Sequence, residues 1–340
     1  MKIDQHTVAM VTGASGGVGR ATARLLGDRR ARVVLLARGR EGLEGARREV
    51  ESRGGRAIVV EADVSRPEQV EAAADAAEQA FGPIDLWINN AMVSMYSPFL
   101  QMTPDEFRHV VEVTFLGVVH GTRSALTRMM PRDRGAIIQV GSALAFRSIP
   151  LQSAYCASKH AIQGFTESIR SELIHERSRI RVSVVNMPAL NTTQFTWTKN
   201  RMAHKARPTG TIFQPEVAAR AILFAAEHNR RELMVGYTTV EATLGEKIIP
   251  GLLDHYLATA AWEGSMLPQP VDPQQPDNFW EPVRADLGAH GDFDRLAQDF
   301  SVQLWASEHR TLIGALFLAG AAVIGGLAAR RPRNVLRKRS

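Results

Sequence analysis

The 340-residue chain has one cysteine, Cys156. A single thiol excludes an internal disulfide and any cysteine-based metal cluster, and it fits a reducing compartment. Excess charge is also missing from most of the chain. The formal charge is +6, but residues 330–340 carry six basic side chains and no acidic one. Setting those six aside leaves 35 basic residues against 35 acidic ones, so the body is neutral. A basic face for nucleic acid is therefore not expected; the excess is a tail. The opening residues, MKIDQHTVAM, lack the apolar run of a secretory leader. The folded body is expected to stay in the cytoplasm. No internal repeat of useful length occurs.

What the chain does have, from residue 6 to about 236, is alternation. Apolar runs that suit buried parallel strands occur at 8–11, 33–37, 57–60, 84–88, 136–140, 182–185 and 233–235. Between them lie longer Ala-, Glu- and Arg-rich stretches with helical periodicity, such as 68–80 and 105–130. Ser65 is a candidate N-cap, with Pro67 in the first turn of the helix that follows. Such alternation predicts an α/β fold of Rossmann type, a doubly wound parallel sheet of about seven strands with helices on both faces.

Beyond Gly236 the pattern changes. Residues 266–283 hold five of the sixteen prolines, which predicts an extended segment that wraps the surface or acts as a stiff linker. Phe279 and Trp280 suggest that part of it packs down, and a polar segment follows. Residues 311–329 then carry no charge. The expected organisation is a catalytic domain over 1–250, a Pro-rich extension over 251–310, a membrane segment over 311–329 and a basic tail over 330–340.

Three motifs carry chemistry. Thr12-Gly13-Ala14-Ser15-Gly16-Gly17-Val18-Gly19 follows the first strand and opens a helix. Glycines let a backbone approach a pyrophosphate there, and the helix N-terminus supplies N–H donors. An ordinary strand-to-helix loop is the bland reading, and the strand–turn–helix context disfavours it. Tyr155 and Lys159 stand four apart, on one face of a helix. A tyrosine needs a nearby cation to act as an acid–base near neutral pH, since its reference pKa is about 10. Four tyrosines and six lysines in this chain give about 0.07 such pairs by chance. Ser142 ends a predicted central strand, at the sheet edge where ligands bind. Alone, such a serine is more often a cap.

TGASGGVG at 12–19, NNA at 89–91, Ser142, YCASK at 155–159 and Asn186-Met187-Pro188 together resemble the short-chain dehydrogenase/reductase family, in the family's order. The resemblance spans about residues 5–240 and implies an oxidoreductase that interconverts a carbonyl and an alcohol with NADP or NAD. It implies that Tyr155 passes the proton, Lys159 lowers the tyrosine pKa and holds the nicotinamide ribose, and Ser142 positions the substrate oxygen. It further implies that Gly13, Ser15, Gly17, Val18, Gly19, Asp63, Asn89, Asn90, Ala91, Pro188 and Thr193 hold cofactor, with Thr192 an alternative to Thr193. The family forms dimers or tetramers, so a homodimer or homotetramer is expected, and no metal is.

The sequence departs from the family at Met92 and Ala189, where glycine is usual. Thr114 stands where the proton-relay asparagine is common, and a hydroxyl cannot present an amide's donor and acceptor together. An acidic residue that would bind the ribose hydroxyls of NAD is absent at Ala37; Arg38 follows and can pair with a 2′-phosphate, which favours NADP. Phe195, Trp197 and Phe213 suggest an apolar lid over the substrate. A second reading of the same residues is a dinucleotide-binding regulator or scaffold. As a helix, residues 311–329 would be about 28 Å long, close to the ~30 Å of a bilayer core. Small residues four apart within it also suit helix–helix packing. Membrane attachment through this segment, spanning or interfacial, and a lipophilic substrate are therefore expected.

Overall fold

The structure, a computed structural model, describes residues 1–311, 313 and 314. Its centre is a parallel sheet of seven strands: β1 (Val8–Thr12), β2 (Arg32–Ala37), β3 (Arg56–Glu61), β4 (Leu86–Asn89), β5 (Ala136–Ser142), β6 (Arg181–Met187) and β7 (Glu232–Met234). They lie in the order β7-β6-β5-β4-β1-β2-β3. Each of the seven apolar runs forms one of these strands. Successive residues feed opposite faces, which is why the runs are continuous. In β1, Ala9 and Val11 join the core on one face, while Val8 and Met10 join the other. A fully buried side chain of this size contributes about 1.5–3 kcal/mol.

Helices α1 (Gly17–Asp28), α2 (Arg40–Ser52) and α8 (Pro215–Glu227) pack together on one face. The other face carries α3 (Pro67–Phe81), α4 (Pro104–Val111), α5 (Gly117–Met129) and α6 (Ser153–His175). The strand order reverses between β1 and β4, and the crevice at their carboxyl ends is where this architecture receives ligands.

Two local expectations are corrected. Ser65 does not cap α3; Arg66 occupies the N-cap without a side-chain bond, and Ser65 Oγ donates to Asp63 Oδ1 at 2.8 Å instead. The helix expected over 105–130 is broken by a π-helical turn, Glu112–Leu116, between α4 and α5. Thr114 sits in that turn, fully buried, with Oγ1 donating to Val93 O at 2.9 Å and accepting from Val93 N at 3.1 Å. The boundary expected at 250/251 falls between two helices, α9 (Tyr237–Ile248) and α10 (Pro250–Gly264), which pack on each other.

After α10 the chain pairs Met266–Pro270 antiparallel with His204–Ala206. It then crosses the body with little regular structure, as the prolines predict, to a short helix, α11 (Val302–Glu308). Phe279 is fully buried on the way. No helix among the described residues is long and apolar enough to cross a membrane. The expected membrane segment, apart from residues 311, 313 and 314, and the whole basic tail lie outside the described residues.

Candidate active site

One deep cleft opens at the carboxyl edge of the sheet and joins all three motifs. Its first half is the glycine turn. Gly13 has φ +67°, and a Cβ there would lie 2.8 Å from Ala91 Cα, so the turn admits only glycine. Thr12 Oγ1 accepts from the N–H groups of Asn90 and Ala91 at 2.9 and 3.0 Å. The Asn90 amide donates to Thr12 O and Gly13 O, at 2.9 and 3.2 Å. These bonds stitch the end of β1 to the end of β4 and fix the turn's shape.

Helix α1 begins behind this turn with Gly16 as N-cap and no side-chain cap. Its first N–H groups are left for an anion. Thr193 Oγ1 is buried without a partner, and a Cβ on Gly16 would come within 2.9 Å of it. An uncapped helix end beside an unspent hydroxyl fits the phosphates of a dinucleotide. Gly13, Ser15, Gly17, Val18, Arg38, Asp63, Asn90, Ala91, Pro188, Thr192 and Thr193 all line the cleft.

Two expected contacts lie elsewhere. Asn89 is buried beneath the cleft, on the α5 side of the sheet. It accepts from Trp87 Nε1 at 2.8 Å and donates to Thr122 Oγ1 and Gln139 Oε1 at 3.1 and 2.9 Å. Strand parity explains this: Asn89 shares its face with Trp87, two residues back. Gly19 is a packing residue, since a Cβ there would lie 2.2 Å from Gly13 O. It brings α1 close to the turn without lining the cleft.

The second half of the cleft holds Ser142, Tyr155 and Lys159. Ser142 ends β5, and its Oγ accepts from Leu144 N at 3.1 Å. Tyr155 and Lys159 project from the first turns of α6. Lys159 Nζ donates to Val140 O at 2.7 Å and lies 5.5 Å from the centre of the Tyr155 ring. Burial lowers the Lys159 ammonium to about 8 and pushes the Tyr155 phenol above its ordinary range, while the Ser142 hydroxyl opposes that rise. At neutral pH the phenol is therefore a protonated donor beside a cation.

Sequence reasoning missed several residues here. Tyr96, Ser94, Gln152 and Arg147 line the same half. Gln152 Nε2 donates to Ser94 Oγ at 3.2 Å, and burial drives the Tyr96 phenol upward. Arg147 pairs with Glu246 of α9 and Asp254 of α10, both at 2.6 Å. That ties the two helices to the loop after Ser142. Isolated polar residues between elements gave no pattern that could have flagged them. Thr114, fully buried, does not line the cleft, and both bonds of its hydroxyl go to Val93.

The apolar lid forms in part. Phe195 and Trp197, on the one-turn helix α7 (Gln194–Trp197), line the cleft. Phe195 packs near Tyr96 and Phe293, with ring centres at 6.4 and 5.8 Å. Phe213 belongs to the core beneath and is not lid. The Arg38 guanidinium is engaged by the extension, donating to the carbonyl oxygens of Phe279 at 3.2 Å, Trp280 at 2.8 Å and Asn278.

Residues 7–204 match the family described as short chain dehydrogenase. The chain is 33% identical over 290 residues to the Bacillus subtilis (strain 168) protein named uncharacterized oxidoreductase YxnA, covering 83% of this chain and 79% of that protein. A metagenomic short-chain oxidoreductase solved in complex with NADP superposes with TM-score 0.58 at 29% identity, over 68% of this chain and 97% of the other. A Burkholderia phymatum short-chain dehydrogenase/reductase solved with NAD shares the fold, with TM-score 0.68 at 23% identity, over 74% and 96% of the two chains. With the sheet order, the glycine turn and the matched span in agreement, this chain belongs to the short-chain dehydrogenase/reductase family and is an oxidoreductase.

Proposed function

We propose that the chain interconverts a carbonyl and an alcohol, with NADP or NAD bound along the cleft and Ser142, Tyr155 and Lys159 acting on the substrate oxygen. The observation that carries this reading is convergence: those three residues share one cleft with an open phosphate cradle. When bound there, a nicotinamide would supply the hydride for the carbonyl carbon or take it back from the alcohol. Tyr155 donates its proton to the carbonyl oxygen in reduction and accepts it in oxidation. Lys159 stabilises the phenolate through its charge and holds the nicotinamide ribose. Ser142 holds the substrate oxygen in line with the phenol. Gly13, Ser15, Gly17 and Val18 take the pyrophosphate side, Asp63 and Ala91 the adenine and the middle of the cleft, and Pro188 with Thr193 the nicotinamide side.

Tyr155→Phe tests this assignment. The variant should lose turnover by at least about a thousandfold in a panel of steroid, retinoid, aldehyde and sugar carbonyls, while binding reduced cofactor as wild type does. A large retained rate would remove Tyr155 as the acid.

A second element of the proposal is location. Leu244, Ile248, Leu252 and Tyr256 are exposed on α9 and α10, while Ala242 and Leu257 of the same helices line the cleft. This apolar surface beside the cleft, with the uncharged stretch over 311–329, supports membrane attachment and a lipophilic substrate. Full-length protein should pellet with membranes through a high-salt wash, and a chain ending near Arg310 should not. Equal behaviour of the two would remove the anchor and the substrate inference that rests on it.

A further inference from the structure

The extension forms the outer wall of the cofactor half of the cleft. Pro282, Val283 and Ala285 line it directly. This strap is fastened at both ends. At the far end Asp286 pairs with buried Arg20, and Asn191 accepts from Phe293 N at 3.0 Å while donating to Asp294 at 2.8 Å. At the near end Phe279 is fully buried, and His109 Nε2 bonds Phe279 O at 2.8 Å. Arg38 joins the carbonyls of Asn278, Phe279 and Trp280.

Arg38 stands just past the end of β2, where this architecture meets the ribose of the cofactor's adenosine. Its guanidinium has only donors, and the strap already takes three of them. A 2′-phosphate is a doubly charged competitor for those donors. The carbonyl bonds are already strengthened by the guanidinium's charge, but a phosphate adds charge–charge attraction and can accept two parallel N–H bonds, so the phosphate wins the guanidinium from the carbonyls. A 2′-hydroxyl offers no such charge and leaves the fastening intact.

We propose that Arg38 is a latch that reads the adenosine ribose: NADP(H) draws its guanidinium off the carbonyls of 278–280 and loosens the strap, whereas NAD(H) leaves the strap fastened. The inference rests on the cofactor reading above. It makes the extension part of cofactor discrimination, because the carbonyl bonds that Arg38 gives up to bind NADP(H) are set against the new ion pair.

The test is amide hydrogen exchange across 276–284 in the full-length protein, free and saturated with NADPH or with NADH, saturation being read from nicotinamide fluorescence. Exchange in this segment should be at least about fivefold faster with NADPH than with NADH. Arg38→Ala should exchange fast with either cofactor and lose the difference. Equal protection in the two complexes, or stronger protection with NADPH, overturns the latch and leaves the cofactor reading standing. Wild-type protection in Arg38→Ala does the same. Failure of NADPH alone to bind overturns the latch, and failure of both cofactors to bind overturns the cofactor reading with it.

Discussion

The two ends of the cleft are built on different principles. Around Tyr155 the chemistry sits on the end of a strand and the first turns of a 23-residue helix. Few polar partners are consumed there, and the geometry is held by the sheet. Around Arg38 the wall is irregular chain from more than two hundred residues downstream, held by bonds to backbone carbonyls, one aromatic plug and, at its far end, the Asp286–Arg20 ion pair. The first construction suits groups that must keep sub-ångström positions. The second has low local regularity and, under the latch proposed above, would open without disturbing the sheet, as segments that admit ligands do. On that proposal a rigid floor and a detachable wall would let one protein keep catalytic geometry while exchanging a large cofactor.

If the floor is where catalysis resides, the largest loss should come from its cation. Lys159→Ala is expected to reduce turnover by about a hundredfold or more, since the charge that supports the phenolate goes with it; steady-state rates at saturating cofactor check this, and a loss under tenfold would shift catalysis away from the pair. The pH profile sharpens the same point. Lys159 is held at about 8 by burial, so its positive charge is present below that pH and lost above it. Turnover should fall about tenfold per pH unit once pH passes roughly 8. A flat profile to pH 10 would show that the ammonium is dispensable.

The wall should answer differently, in binding before rate. Phe279→Ala removes a fully buried ring, a change that costs about 3–5 kcal/mol in a packed core. Here the strap should absorb the cost by detaching, so cofactor dissociation measured by stopped-flow fluorescence should speed several-fold while the unfolding midpoint of the sheet domain moves little. A global loss of stability instead would mean that strap and body form one cooperative unit. The smallest kinetic effect is expected beneath the floor. Asn89→Ala leaves the buried amide of Gln139 and the indole N–H of Trp87 short of partners, at about 1–3 kcal/mol of stability. Km for cofactor should not change, because Asn89 does not reach the cleft.

The same contrast explains what could be read from the sequence. All seven strands were legible because a sheet buried on both faces demands continuous apolar runs. The glycine turn and the Tyr155–Lys159 pair were legible because their chemistry requires fixed spacings. Treating Asn89, Asn90 and Ala91 as one lining segment misplaces Asn89; alternation from Trp87 puts it on the buried face. The break in the 105–130 helix was hidden because Thr114 bonds a residue 21 positions away. The role of the extension was illegible for a deeper reason. Phe279 and Trp280 signal that it packs down, but its docking on Arg38 and His109 uses its own carbonyl oxygens, which every residue possesses and which leave no side-chain pattern.

The most direct measurement is a single turnover. Enzyme loaded with one equivalent of NADPH or NADH is mixed with each carbonyl class, and the reduced nicotinamide band is followed. The account predicts that the band decays, with formation of one equivalent of alcohol, for at least one class, and that Tyr155→Phe holds the same cofactor without decay. A cofactor that binds tightly and stays reduced against every class would contradict it, and would make the chain a dinucleotide-binding scaffold.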